Sequence, residues 1–453
     1  MPGLDQREAI DYVRGLGRFG VRLGLERTRE LLAALGHPER RLPPVYHIAG
    51  TNGKGSTACL IESILRAAGH RTALFTSPHL SRYEERFAFD GRPVAPEELA
   101  AAVERAREAV RGLAAAGKET PTEFEFTTAV FLDLVARRRP DAVILEVGLG
   151  GRHDATNAVP RPAVSVVTNV ALDHTDRLGR TVAEIARDKA GIARPGVPLV
   201  TGAADPDALV VLEEVCAAAG TPLLRVVEGG GAGPDPRGAA RYRVRELGPG
   251  GARWDFESDW ACWRDLPLAL RGRHQVANAA VALTALLAAA ARGGPAVDEG
   301  AVRRGLATAY WPGRLERLDW QGREVWLDGA HNPAGMATLA QALRDLLPGR
   351  QVALVFGMLD DKDVEAAAAA IAPLTALAVV TEPASPRAAR AERGAAALAG
   401  HGVPVVIERE PRRALERALA EAPPGLPLVV AGSLYLIGEL RPWLLAPAPA
   451  PGV

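Results

Sequence analysis

Two kinds of segment alternate along this chain. Short runs such as "PPVYHIAG", "RTALFTS", "DAVILEVG", "AVSVVTNV" and "VPLVTG" are separated by stretches rich in Ala, Leu, Glu and Arg. Within the runs, "VILEV" and "VSVV" are apolar nearly throughout rather than alternating. That pattern predicts parallel strands covered on both faces, because a strand with one wet face would alternate. The stretches between them carry helical spacing. Leu60, Ile61, Ile64 and Leu65 fall on one face of a helix. "TVAEIARDKAGI" opens with Thr181 as N-cap and Glu184 three positions on, a capping box. The first part of the chain therefore reads as an α/β parallel sheet.

The pattern then changes twice. Residues near 225 to 262 hold a Gly/Pro-rich stretch, "GGGAGPDPRGAARYRV", and then "YRVREL" and "ARWDFES", which suggest antiparallel hairpins. A helix is expected over 275–291, followed by the Pro-Gly turn of "AYWPGRLERL", taken as a hinge. Beyond it the alternation restarts with "EVWLDGAHN", "QVALVFGML", "LAVVTEP", "VPVVIE" and "PLVVAGS", predicting a second, smaller doubly wound domain. The tail "LAPAPAPGV" is expected to be disordered.

Composition narrows the function classes. Lys+Arg and Asp+Glu are both 54 in 453 residues, so bulk charge gives no reason to expect a nucleic acid or membrane partner. Cys59, Cys216 and Cys262 are few, odd in number and far apart, which argues against a disulfide framework and for reducing cytoplasm. The start "MPGLDQREAIDY" lacks a basic-then-apolar signal region, and "AAVALTALLAAAA" is too short to cross a bilayer.

The chemistry begins at "HIAGTNGKGSTACLIESIL". An apolar strand runs through a glycine loop into an amphipathic helix, the context a phosphate-binding loop requires. The spelling departs from G-x-x-x-x-G-K-[ST], with Ile48 at the first glycine position and Gly55 after Gly53-Lys54. The physics is unchanged: backbone N–H groups and the helix N-terminus favour phosphate, Lys54 adds charge, and Ser56 can offer a hydroxyl to Mg²⁺. The bland alternative is a glycine-rich turn with a solvated lysine. Glu146 ends the strand "DAVILEVG" before the run "GLGGR", and Asp173 and His174 follow the strand "AVSVVTNV". Strand carboxyl ends are where open α/β sheets bind ligands, and a carboxylate there commonly holds Mg²⁺ beside phosphates. An edge salt bridge for Glu146 and a structural role for His174 are the alternatives.

In order along the chain, "GTNGKGS", "TSPHL", "EVGLGGRHDATN", "LDHTDRLG", "KAGI", "GRHQVANA", "WPGRLE" and "DGAHNP" resemble folylpolyglutamate synthase and dihydrofolate synthase of the Mur ligase superfamily. The resemblance runs from about residue 20 to beyond 330, and the altered loop spelling is that family's own form. It implies an N-terminal P-loop parallel-sheet ATPase domain (1–309) with a small antiparallel β addition. It also implies a hinge (310–315), a C-terminal Rossmann-like α/β ligase domain (316–445) and a tail (446–453).

Site residues follow from the same resemblance. ATP phosphates would lie on Asn52, Gly53, Lys54, Gly55 and Ser56. Asn278, Arg314, Asp328 and His331 would be further nucleotide contacts in a cleft that closes on its substrates. Mg²⁺ would be held by Ser56, Ser77, Glu146 and His174, with K⁺ as a further candidate ion. The pterin side would be met by Gly24, Leu25, Glu26 and Arg27, by Thr122, Glu123, Phe124 and Glu125, and by His153, Asp154 and Ala155. Phe124 could stack on a flat heteroaromatic ring. His153 stands where many members carry an apolar or larger aromatic residue. Lys189 would be carbamylated to N6-carboxylysine, an anionic group near the metal. The residues alone make Lys189 a surface lysine near a C-cap glycine, Gly191.

The implied reaction is phosphorylation of a carboxylate by ATP, then attack of L-glutamate's amine on the acyl phosphate. Lys54, Lys189 and His174 are the catalytic candidates, His174 as one that could take the amine's proton. The acceptors would be dihydropteroate, tetrahydrofolates or both, and the enzyme a cytoplasmic monomer. Two rivals are another Mur-type amino-acid ligase and a P-loop kinase or NTPase. Peptidoglycan ligases carry a UDP-sugar domain ahead of the loop, for which the residues before Gly50 are too few. The second α/β domain with "DGAHNP" speaks against a kinase. A non-enzymatic nucleotide-binding module is a third reading.

Overall fold

The structure is a computed structural model, and it describes residues 4–20, 22, 24–229 and 239–446. Most of the Gly/Pro-rich loop after Glu228, and the tail beyond Ala446, lie outside the described residues. The chain divides into two compact units. The first comprises Met1–Arg245, Arg253–Leu268 and Gln275–Ala309, the second Glu246–Ala252, Ala269–His274 and Tyr310–Val453.

The first unit is built on an eleven-stranded sheet. Its order is Cys262–Leu268, Gly251–Glu257, Ala240–Gly248, Leu223–Glu228, Leu199–Thr201, Val164–Val167, Val45–Ala49, Ala142–Glu146, Thr72–Phe75, Phe87–Phe89 and Arg92–Pro93. The five apolar runs are its central strands. They pair in parallel and are buried along their whole length, as strands covered on both faces must be.

Register decides where the site falls. Ile48 lies opposite Glu146, Ala49 opposite Val167, and Phe75 opposite Leu145. Four carboxyl ends therefore stand in one row, and from them issue the glycine loop, Glu146, the 168–174 segment and Ser77. From Val45–Ala49 the chain leads through helix Lys54–Ala67 to Thr72–Phe75. From Ala142–Glu146 it crosses instead to Val164–Val167, on the other side of Val45–Ala49. Connections that diverge like this open a crevice at the strand ends.

Below that edge lies an aromatic core of Phe75, Phe87, Phe126 and Phe131, each at most 1% exposed. The Phe75 and Phe131 rings stack at 5.0 Å. Burying each ring contributes about 1.5–3 kcal/mol. On the hairpin side, Ala240–Gly248 and Gly251–Glu257 are neighbours in the sheet joined only by Pro249 and Gly250. A two-residue connection can join only antiparallel strands, as the sequence suggested.

The second unit holds a six-stranded sheet ordered Glu316–Trp320, Arg323–Leu327, Leu428–Ala431, Val352–Phe356, Thr375–Val380 and Val405–Ile407. The first two strands are antiparallel and the rest parallel. Its core includes Trp326, Met336, Leu354 and Phe356. The excursion Ala269–His274 goes with this unit because Arg271 donates to the Leu315 carbonyl at 3.3 Å and lies 5.8 Å from the Trp326 ring centre. No helix among the described residues is long and apolar enough to cross a membrane.

Candidate active site

The glycine loop is braced from the strand beside it. Thr51 N–H donates to the Asn169 carbonyl at 3.0 Å, and Asn52 N–H to the Asn169 side chain at 2.8 Å. The Thr168 hydroxyl donates to the Asn52 carbonyl at 2.7 Å. Gly53 has φ +85°, and a β-carbon there would meet Asn278 Oδ1 at 2.5 Å. Only glycine suits both constraints. Lys54 opens the helix Lys54–Ala67 and folds back, donating to the Gly50 and Thr51 carbonyls at 3.0 and 3.1 Å. Ser56 is 2% exposed, and its hydroxyl accepts from Gln275 Nε2 at 3.2 Å. The loop thus brings Asn52 to Ser56 and Asn278 together.

Three separate segments expected on the pterin side also converge. Thr122 and Glu125 form a capping box at the start of helix Glu123–Arg138. Glu125 accepts two hydrogen bonds from Arg27, at 3.1 and 2.8 Å, which ties the arm Gly24, Leu25, Glu26 and Arg27 to this helix. Glu123 accepts from the Tyr83 hydroxyl at 2.7 Å. Phe124 lies against Gly148, where a β-carbon would meet its ring at 2.5 Å. From the loop after Gly148, His153 points outward, exposed, while Asp154 and Ala155 are buried.

Asp154 is the strap of that loop. Its carboxylate accepts from the Gly148 and Leu149 N–H groups at 3.0 and 2.9 Å, and from Thr156 N–H at 3.0 Å and hydroxyl at 2.5 Å. Burial pushes its pKa up to about 6, against the pull of those donors. His47, from the central strand, reaches the Thr156 hydroxyl at 2.8 Å and is itself driven down to about 3 by burial.

Lys189 corrects the surface reading made from the residues alone: it is 3% exposed. It ends helix Val182–Lys189, whose cap is Ala190 rather than Gly191. The reason is the "GLGGR" loop. A β-carbon on Gly151 would meet the Lys189 carbonyl at 2.7 Å, and Arg152 N–H donates to the Asp188 carbonyl at 3.0 Å. Asn157 reinforces the seam by donating to the Gly191 carbonyl at 3.2 Å and accepting from Arg194 at 2.6 Å. Burial lowers the Lys189 ammonium to about 7. Lys54 adds to the fall, while Asp188, Asp173 and Asp154 oppose it.

The expected metal donors stand at the row of strand ends. Glu146 is 5% exposed and accepts from Ser77 N–H at 3.1 Å. His174 caps the short helix Thr175–Leu178 with a positive φ of 50°. Among the described residues no group of three His, Cys, Asp or Glu side chains is close enough to hold a metal. Mg²⁺ is commonly held by one or two carboxylates with the remaining positions left to water and substrate phosphate. Hydroxyls at Ser56 and Ser77 and a carboxylate at Glu146 are hard oxygen donors of that kind, so the residues fit the ion.

In the second unit, Arg314, Asp328 and His331 come together. The Asp328 carboxylate accepts from Leu315 and Ala330 N–H at 2.8 and 2.9 Å. Burial raises its pKa above the usual carboxylate value, and the Arg314 guanidinium opposes the rise. His331 Nδ1 donates to the Gly329 carbonyl at 2.7 Å. The turn "WPGR" is anchored by Glu316, which accepts from Gly313 N–H at 2.8 Å and from Arg441 Nε at 2.8 Å.

Sequence reasoning missed Thr168, Asn169, Asn157 and Gln275. The first two lie between a strand singled out for its apolar run and Asp173. Gln275 stands inside the quoted motif "GRHQVANA". Their neighbours carried a signal, whereas their own roles need the fold.

Residues 48–286 match the model of the Mur ligase middle domain and 313–434 that of the Mur ligase glutamate ligase domain. A Bacillus subtilis dihydrofolate synthase/folylpolyglutamate synthase is 37% identical over 79% of this chain and 80% of that protein. Mycobacterium tuberculosis folylpolyglutamate synthase complexed with ADP superposes with a TM-score of 0.86 at 33% identity, over 98% of this chain and 100% of that one. Escherichia coli FolC in complex with DHPP and ADP gives 0.84 at 32%, over 97% and 98%. Fold and loop thus define an ATP-dependent ligase of the Mur class. Within that class the chain belongs to the folylpolyglutamate synthase and dihydrofolate synthase family. It joins glutamate to folates at the expense of ATP.

Proposed function

We propose that this cytoplasmic enzyme adds L-glutamate to both dihydropteroate and tetrahydrofolates, through an acyl phosphate, at the site described above. One observation carries the reading: the glycine loop, Glu146 and Ser77 issue from adjacent strand ends, and Phe124 rests on Gly148 two residues beyond Glu146. An acid held against Phe124 therefore lies beside a phosphate held on the loop.

In the first step a carboxylate oxygen of the folate attacks the γ-phosphorus of ATP and ADP leaves. The amine nitrogen of glutamate then attacks the acyl carbon. The bond from that carbon to the phosphate oxygen breaks, and phosphate departs with one former carboxylate oxygen while the amine's proton is released. Both partners in the first step are anions, so catalysis is chiefly charge neutralisation and positioning. Asn52 to Ser56 bind the phosphates, with Lys54 leaving its loop carbonyls for them. Asn278, Arg314, Asp328 and His331 hold the nucleotide. Gly24 to Arg27, Thr122 to Glu125 and His153 to Ala155 position the folate. Mg²⁺ held by Ser56, Ser77, Glu146 and His174 supplies further neutralisation of phosphate charge when bound. Lys189, buried and with its ammonium lowered to about 7, presents at neutral pH a larger share of the neutral amine that CO₂ requires than an exposed lysine does. Its carbamate reverses the sign of the group and stops it repelling a metal.

The test is phosphate release by the purified protein with ATP, Mg²⁺ and each acceptor, with and without L-glutamate. Release that needs glutamate and occurs with both acceptors supports the reading. Release with only one narrows the activity to that acceptor, and glutamate-independent release contradicts it.

A further inference from the structure

The amide of Gln275 is unusual in its setting. It belongs to helix Arg273–Ala290, whose buried residues are otherwise almost all apolar, and it is 1% exposed. A buried amide is costly unless its donors and acceptor are matched. Here one hydrogen bond is made at each end. Nε2 donates to Ser56 Oγ at 3.2 Å, and Oε1 accepts from Asn278 Nδ2 at 3.0 Å. Asn278 in turn lies over the loop, its Oδ1 2.5 Å from where a β-carbon on Gly53 would be. One side chain thus joins the phosphate loop to the helix that carries a nucleotide contact.

The direction of the bonds matters. A serine hydroxyl has one O–H and two lone pairs. When Gln275 occupies one lone pair, the other and the O–H remain for the nucleotide side. Without that donor, a serine in the first helical turn is free to rotate and bond back to a preceding carbonyl. We propose that Gln275 is a positioning residue for MgATP: it sets the rotamer of Ser56 and the seat of Asn278 at once, and acts on nucleotide rather than on folate. The proposal rests on the nucleotide roles of Ser56 and Asn278 given above.

A double-mutant cycle tests it. Gln275→Met keeps the volume and removes both hydrogen bonds. Gln275→Glu keeps the shape and replaces the donor with an acceptor. Binding of a non-hydrolysable ATP analogue with Mg²⁺, KM for ATP and for the folate, and Tm are measured for each, for Ser56→Ala, and for Ser56→Ala combined with Gln275→Met. The expected result is a roughly tenfold weaker analogue and a similar rise in KM for ATP, with KM for folate changed less than about twofold. Gln275→Met should cost less once Ser56 is alanine, the remaining loss being the part carried through Asn278. Should Gln275→Met fail to fold, the isosteric Gln275→Glu carries the same comparison. Full analogue binding in the Gln275 variants, or equal loss for ATP and folate, overturns the positioning role while leaving the loop assignment in place. Normal analogue binding by Ser56→Ala alone overturns the loop assignment and the proposal together.

Discussion

Two lysines show how differently one residue type can be used. Lys54 is held by two carbonyls of its own loop, so its loss removes charge from the glycine loop without opening a core. Lys54→Ala is expected to lower glutamate incorporation by about 10²–10³-fold while Tm changes little; near-normal turnover would remove the phosphate-loop assignment. Lys189 is buried, and its ammonium titrates near 7 instead of 10.5. In CO₂-free buffer the folded state carries a penalty for holding this charge below about pH 7. Between there and the unfolded value the unfolded chain binds more protons, so stability rises with pH across that window. Lys189→Met should flatten the rise, measured by urea unfolding from pH 7 to 10. Lys189→Ala is expected to lose most activity and keep its fold, with part of it restored by acetate or by Lys189→Glu. Labelled bicarbonate and ¹³C NMR should show a carbamate signal that the variant lacks. A bare amine in the active, substrate-bound enzyme would contradict it. The sequence hid the burial of Lys189 because "IARDKAGI" has an ordinary amphipathic pattern. What covers the lysine is a glycine loop nearly forty residues earlier, a long-range contact that local spacing does not carry.

Among elements, those with a strong local signal were legible. The runs "VILEV" and "VSVV" form buried parallel strands, and Thr181 and Glu184 form the capping box their spacing announces. The loop after Glu146 was legible only as glycine-rich. Its shape depends on Asp154, whose four intramolecular donors bend the chain back, and on Gly148, which admits the Phe124 ring. Gly148→Ala should therefore push Phe124 aside and raise KM for folate several-fold, with KM for ATP little changed. Asp154→Ala should cost about 1–3 kcal/mol by leaving buried N–H groups unmatched, read as a fall in unfolding midpoint. Unchanged folate kinetics in Gly148→Ala would separate Phe124 from the acid substrate.

For the whole molecule, two α/β units were evident from the restart of the β/α pattern after the Pro-Gly turn. The two excursions that join the second unit were not, because they are held by tertiary contacts such as Arg271 on Leu315 and Trp326. Arg314 stands beside buried Asp328 in that unit, so Arg314→Ala is expected to raise KM for ATP more than it lowers Tm. Equal ATP kinetics in that variant would remove Arg314 from the nucleotide site. The central claim, that this ligase activates a carboxylate as an acyl phosphate, has one direct measurement. Folate acceptor carrying ¹⁸O in its reacting carboxylate is turned over with ATP and glutamate, and the released phosphate is analysed by mass spectrometry. With both carboxylate oxygens labelled, one ¹⁸O is expected in phosphate per amide bond formed. Phosphate free of the label would contradict it.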